Sequence, residues 1–263
     1  MFDNENAAAM ISGHNRDIPL RVTATRPVAK KHHIYLSVKL ILEWILALAA
    51  LIFLFPVLAT LAILVKLTSK GPMFYKQERL GLHGRIFKIY KLRTMVQHAE
   101  AVTGPVWAAK QDSRITPLGM ILRTSHLDEL PQLLNVLKLD MGMIGPRPER
   151  PEIAARITRH VPDFPRRLEV RPGITGLAQI MYPADDPADH NFDGVRKKLE
   201  FDLLYIRKTE LLLDLRVYLC TACKMAMGLL ELFRDWLTKP FGRSMVHNRA
   251  GARPEPVEYE QAV

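Results

Sequence analysis

Cysteine is nearly absent from this chain. Cys220 and Cys223 are its two, so no disulfide framework holds the fold, and the count fits a reducing compartment. Their C-x-x-C spacing has no second pair to complete a zinc site and no βαβ pattern around it. They read as small buried residues on a helix. Acidic charge is also scarce: 27 Asp and Glu stand against 37 Lys and Arg, a net charge of +10. That excess suits an anionic partner, whether nucleic acid, an anionic membrane surface or an anionic substrate. No internal repeat is visible, which excludes a solenoid. No apolar run comes early enough for a cleaved signal peptide. Residues 1–29 are polar and unpatterned and predict a disordered arm; residues 241–263 predict a disordered tail.

Apolar mass is plentiful, at 48% of 263 residues, enough for one domain with appendages. Ile45 to Val65 carries no charge and at ~1.5 Å per residue is long enough to cross a hydrocarbon core. Pro56 lies near its middle. Lys30, Lys31 and Lys39 precede it; Lys66, Lys70 and Lys76 follow it. Positive loops favour the cytoplasmic side. Positive flanks at both ends with a central proline predict a helix that enters, bends and returns; a straight single span is the alternative.

Lys66 to Arg93 holds eight Lys and Arg and one acid, Glu78. Met73–Glu78 and Arg85–Leu92 are rich in aromatic and branched residues, with Gly81 and Gly84 between them, which predicts a β-hairpin. Alternation places Lys91 and Arg93 on one face. Further on, Leu211 to Leu237 is long and apolar, with Asp214, Thr221, Lys224, Glu231 and Asp235 on one stripe. Such a helix packs in a core or lies in a membrane interface.

The stretch Leu122 to Pro151 organises the rest. Leu127, Leu130, Leu134 and Leu137 recur at helical spacing. Asp128 and Glu129 sit just before Pro131, which is tolerated in a first helical turn. A helix is therefore expected from about Asp128, with Ser125 or Asp128 near its cap. Its positive end favours ionised carboxylates, and an ionised Asp is a nucleophile or a metal ligand. Gly145-Pro146-Arg147-Pro148 is a stiff turn that fixes one guanidinium, suited to a phosphate or a planar base. Arg123, five residues before Asp128, could neutralise a diphosphate or pair with an acidic neighbour.

Several motifs carry a resemblance. They are Leu127-Asp128-Glu129-Leu130-Pro131-Gln132, Asn135-Val136-Leu137, Asp140-Met141 and Gly145-Pro146-Arg147-Pro148. Gly71-Pro72, Phe87 to Met95, Arg171 to Gln179, Tyr182-Pro183 and Lys198 to Ile206 add to them. Together they resemble the bacterial sugar transferases, the monotopic phosphoglycosyl transferases that begin exopolysaccharide and glycan assembly, from about Lys39 to Met227. Three positions depart from the family pattern. Phe55 stands where a Ser precedes the proline, Leu139 where Gly is usual, and Gly142 where Ser is usual.

The resemblance implies a mixed α/β, mainly helical, membrane-associated monotopic fold. A re-entrant helix over residues 30–66 would precede a catalytic domain over 67–240, with interfacial helices and a small β-hairpin or sheet. It implies a bacterial inner-membrane protein with its catalytic domain on the cytoplasmic face. The implied substrates are a UDP-sugar and polyprenyl phosphate, with membrane lipid as a further partner. Asp128 is the implied nucleophile, which would release UMP and leave an aspartyl phosphosugar. Glu129 is the implied Mg²⁺ ligand, with Asp128 beside it, and Lys91, Arg123 and Arg147 would bind substrate. The competitors are a glycosyltransferase that moves only the sugar and releases UDP, and a non-enzymatic scaffold of a polysaccharide machine. The basic residues cluster around the apolar hairpin, which favours membrane over nucleic acid. The sugar and any homo-oligomer are left open.

Overall fold

The computed structural model describes residues 30–97, 99, 112–182 and 192–238. The arm over 1–29, the tail over 241–263 and the loop with Gly104-Pro105 and Trp107 lie outside them. The fold is mainly helical with two small sheets. One long apolar helix, α1 (Lys30–Thr68), runs unbroken through Pro56. Proline offers no N–H to the carbonyl one turn earlier. The family hydroxyl expected at position 55 is missing, but Thr60 Oγ1 donates to the Pro56 carbonyl at 2.9 Å. Back-bonding of this kind bends helices.

The same body holds both ends of α1. Near its start Lys39 Nζ lies 2.7 Å from Asp214 Oδ2, and Ala47 is fully buried. Near its end Leu58, Ala62 and Val65 pack with Leu92 and Leu122. Arg93 Nη2 donates to the Ser69 carbonyl at 2.7 Å. Between these anchors Ile52, Phe53 and Phe55 point outward, and Phe53 is 82% exposed.

The predicted hairpin is present. Strand β1 (Phe74–Leu80) pairs antiparallel with β2 (Ile86–Leu92), and Lys91 stands opposite Tyr75. The turn carries Gly84 at φ 81°, a conformation that glycine adopts without steric cost. Helix α2 (Pro117–Thr124) leads to a 3₁₀ helix (Leu127–Gln132) and then α3 (Leu133–Leu137). Phe87 and Ile89 of β2 bury against Leu133 and Val136 of α3 and Ala47 of α1. This three-way packing seats the carboxylate segment on the hairpin. Strand β3 (Gly142–Ile144) pairs parallel with β4 (Gly173–Thr175). Helix α4 (Pro151–His160), α5 (Leu177–Met181), α6 (Asp193–Arg207) and α7 (Leu211–Thr238) complete the fold.

Asp214, Thr221 and Lys224, the described part of the polar stripe on helix α7, face inward. Asp214 is buried, Thr221 bonds Thr175, and Lys224 Nζ donates to the Ile180 carbonyl at 2.7 Å. Val217 is buried, but Leu211, Leu212, Leu215, Leu219 and Leu230 are all more than half exposed. The helix therefore packs on the core by one side and leaves an apolar face exposed on the other. Cys220 and Cys223 lie on the exposed surface of α7. This corrects the expectation that they are buried, because the inward side is taken by the polar stripe.

Candidate active site

The carboxylates do not open an α-helix. His126, in the left-handed region at φ 57°, starts the 3₁₀ helix that carries Asp128, Glu129 and Pro131, and the α-helical turn begins only at Leu133. Ser125 is not its cap either. Its Oγ donates to the Ile121 carbonyl at 2.8 Å and so finishes α2. A non-glycine residue at positive φ costs about 1–2 kcal/mol, and such strain gathers at functional sites.

Asn135 sets the register between this segment and the hairpin. Its Oδ1 accepts from the Tyr90 N–H at 3.0 Å and its Nδ2 donates to the Lys88 carbonyl at 2.8 Å. The side chain is fully buried. With Tyr90 pinned, the next residue, Lys91, reaches Glu129: Nζ lies 2.7 Å from Oε1. Arg147 arrives from the proline-flanked turn. Its Nη2 also meets Oε1, at 2.5 Å, and its Nη1 lies 3.3 Å from Oε2. This is the fork geometry that guanidinium offers a carboxylate.

The Arg147 backbone is held in turn. Its carbonyl accepts from Arg167 Nη2 at 2.9 Å, and Arg167 Nη2 lies 2.7 Å from the buried Asp202 Oδ2. Arg79 Nη1 donates to the Pro148 carbonyl at 3.0 Å. Of the expected site residues, Asp128, Glu129, Lys91 and Arg147 are brought together. Arg123 stands nearby; its charge reaches Asp128, and it makes no hydrogen bond or ion pair with the described residues. Arg93, expected to share a face with Lys91, caps α1 instead. Sequence reasoning gave no role to Asn135, Arg167 and Asp202, although Asn135 and Asp202 fall inside the motifs.

The two carboxylates differ in environment. Asp128 is buried and has no hydrogen-bond or ion-pair partner among the described residues. Burial raises its carboxyl above the usual range, and Lys91 only partly counters this. Burial would raise Glu129 too, but the charges of Arg147 and Lys91 outweigh it and hold the carboxyl well below the usual range. Burial lowers the Lys91 ammonium, which Glu129 partly restores. The expected ionised state thus holds for Glu129 through Arg147 and Lys91 rather than a helix end, and the expectation misses Asp128, where desolvation dominates.

No group of three or more His, Cys, Asp and Glu forms a metal cluster among the described residues. Two adjacent carboxylates nevertheless fit Mg²⁺, which binds through one or two carboxylates plus substrate phosphates. Three basic residues around them suit the remaining phosphate charge.

These features define a mainly helical fold with one long apolar helix and a carboxylate pair under basic residues. Residues 34–228 match the family model for bacterial sugar transferases. The chain belongs to that family. It is 41% identical over 175 residues to a protein of Bacillus subtilis (strain 168) provisionally named an undecaprenyl-phosphate N-acetylgalactosaminyl 1-phosphate transferase, covering 66% of this chain and 94% of that one. It is 38% identical over 192 residues to the UDP-glucose:undecaprenyl-phosphate glucose-1-phosphate transferase of Xanthomonas campestris pv. campestris, covering 73% and 39%. It is 39% identical over 197 residues to the UDP-N-acetylgalactosamine-undecaprenyl-phosphate N-acetylgalactosaminephosphotransferase of Aeromonas hydrophila, covering 74% and 45%. The chain thus spans less than half the length of the last two.

Proposed function

We propose that this protein is a phosphoglycosyl transferase that moves a sugar-1-phosphate from a UDP-sugar to undecaprenyl phosphate. The names of its relatives support the substrate pair. One observation carries the chemistry: Glu129 takes both Lys91 and Arg147, and the neighbouring Asp128 carboxylate has no hydrogen-bond or ion-pair partner among the described residues. Asp128 is the nucleophile. Its oxygen forms a bond to the phosphorus beside the sugar, the bond to UMP oxygen breaks, and UMP leaves with that electron pair. The lipid phosphate oxygen then attacks the aspartyl phosphosugar and frees Asp128 as carboxylate. Lys91, Arg123 and Arg147 stabilise charge on the phosphoryl oxygens. Glu129, with Asp128, would hold Mg²⁺, and the ion would draw electron density from the diphosphate.

The reading includes a position at the cytoplasmic face of the bacterial inner membrane. The stretch Tyr35–Thr68 is long and apolar enough to cross a membrane. That one body holds both ends of α1 while Phe53 and Phe55 face outward supports entry into a single leaflet. The exposed leucines of α7 support an interfacial domain.

The test uses UDP-sugar labelled in the phosphate beside the sugar, with Mg²⁺ and no lipid. About one UMP per active site is expected, with a labelled adduct on Asp128 by intact-protein mass, as a covalent intermediate requires. Release of the label as UDP would mean that only the sugar moves.

A further inference from the structure

One buried polar cluster lies outside the reacting groups. Glu43, on α1, is 5% exposed. Its Oε1 accepts from the Ile144 backbone N–H at 3.1 Å and lies 2.9 Å from Lys39 Nζ. Lys39 also reaches Asp214 Oδ2 at 2.7 Å and the Tyr205 hydroxyl at 2.9 Å. Tyr205 donates to Asp214 Oδ1 at 2.8 Å, and its hydroxyl lies 3.3 Å from the Ile144 carbonyl. The Ile144 N–H is thus held by the long apolar helix, while its carbonyl faces the Tyr205 hydroxyl of α6.

Ile144 ends β3, three residues before Arg147. Beyond it Gly145 N–H donates to the Thr175 carbonyl at 2.9 Å, and Pro146-Arg147-Pro148 follows without slack. The chain makes room for this grip. A Cβ at Gly142 would lie 2.7 Å from Glu43 Oε2, so any larger residue at position 142 would press on the carboxylate. A buried carboxylate away from the reacting groups needs such partners to be tolerated at all.

We infer that Glu43 is a positioning residue: it ties the seating of α1 to β3 and so sets Arg147 over Glu129. This rests on the phosphoglycosyl transferase reading for its activity readout. Displacing Glu43 frees the Ile144 N–H, loosens the Gly145–Pro148 turn and misaims the guanidinium fork. A misplacement of about 1 Å can cost on the order of 100-fold in rate.

The experiment uses the full chain in lipid nanodiscs and reads UMP release, KM for the UDP-sugar, and amide exchange at Ile144 and Gly145. Glu43→Ala is expected to lower kcat at least about 10-fold and to speed exchange at Ile144, with the β1–β2 amides unchanged. Glu43→Gln, which keeps an oxygen for the Ile144 N–H, should recover to within about 3-fold of wild type. Adding Glu43→Ala to Arg147→Ala should cost nothing further, because the effect runs through Arg147. Full additivity with Arg147→Ala, or wild-type kcat in Glu43→Ala, would overturn the inference. Gly142→Ala is the second variant should Glu43→Ala not fold. It pushes the carboxylate off β3 while keeping its charge, and its rate and exchange count in the same way. If wild type releases no UMP, the transferase reading fails instead, and unchanged Ile144 exchange in the variants would still overturn the clamp.

Discussion

Asp128 and Glu129 share a peptide bond and are driven in opposite directions. Burial raises the first above the ordinary carboxyl range, while Arg147 and Lys91 overcome burial and hold the second well below it. An acid whose folded value is raised opposes folding once ionised. One whose folded value is depressed stabilises the fold above its unfolded value near 4.5, and loses that contribution as pH falls through the folded value. Asp128→Asn should therefore abolish turnover without lowering the melting temperature at pH 7.5. Glu129→Gln should impair turnover and also cost about 2 kcal/mol, the scale of a hydrogen bond to a charged group. Thermal melts beside UMP assays check the pair; a large loss of stability in Asp128→Asn alone would reverse the assignment.

The acid limb of the rate profile should report Asp128. The nucleophile must be ionised, so the first-step rate should rise with pH and level off later than for an ordinary aspartate. Lys91 lowers the Asp128 carboxyl toward its usual range. Lys91→Met removes that charge, so the limb should move to higher pH while the plateau falls. Rapid-quench measurements of UMP release across pH 4 to 8 would show it, and a shift to lower pH would refute it.

Leu139 holds φ 61° and is 44% exposed. Its side chain meets the steric cost of the left-handed region, about 1–2 kcal/mol, which glycine avoids. Part of that gain is lost to the greater freedom of glycine in the unfolded chain. Leu139→Gly should raise stability by up to about 1 kcal/mol with turnover unchanged. Melting the two proteins side by side is sufficient.

How much of this was legible in the sequence depends on how local the cause was. The hairpin was readable because alternation and its two glycines act within a few residues. Asp128, Glu129, Lys91 and Arg147 were readable through the family motifs, and they converge. Ser125 was misread because it serves the helix behind it. Asn135 and Arg167 carried no local signal, since their partners lie 47 and 20 residues away along the chain. The pattern of α7 showed that one stripe differs from the rest. It could not say which side meets the protein, and the cysteines followed that ambiguity to the wrong side.

The orientation of α7 gives a lipid prediction. Leu215 and Leu219 are 51% and 59% exposed. If they sit in acyl chains, Leu215→Asp with Leu219→Asp should keep the fold and weaken membrane attachment, each leucine contributing about 2 kcal/mol of burial. Flotation with phosphatidylglycerol vesicles measures it. Equal flotation of variant and wild type would leave α7 out of the interface.

Topology is checked in a variant with Cys220 and Cys223 replaced by Ser. New cysteines near Lys31 and near Lys70 should both label only from the cytoplasmic side. Pro56→Leu restores the backbone N–H that proline removes and should shift part of the population toward a spanning form, with one label reaching the opposite face. Opposite-side labelling in the unaltered sequence would establish a full span.

Because Ala47, Leu58, Ala62 and Val65 complete two of the clusters behind the carboxylates, α1 is interior as much as anchor. Cutting the chain after Thr68 to obtain a water-soluble enzyme would therefore open the back of Phe87, Ile89, Leu92 and Leu122 to solvent. The fragment would not be a smaller version of the protein but a core with one wall missing. Solubility for this fold has to be engineered on its outward leucines and phenylalanines, with the helix left in place.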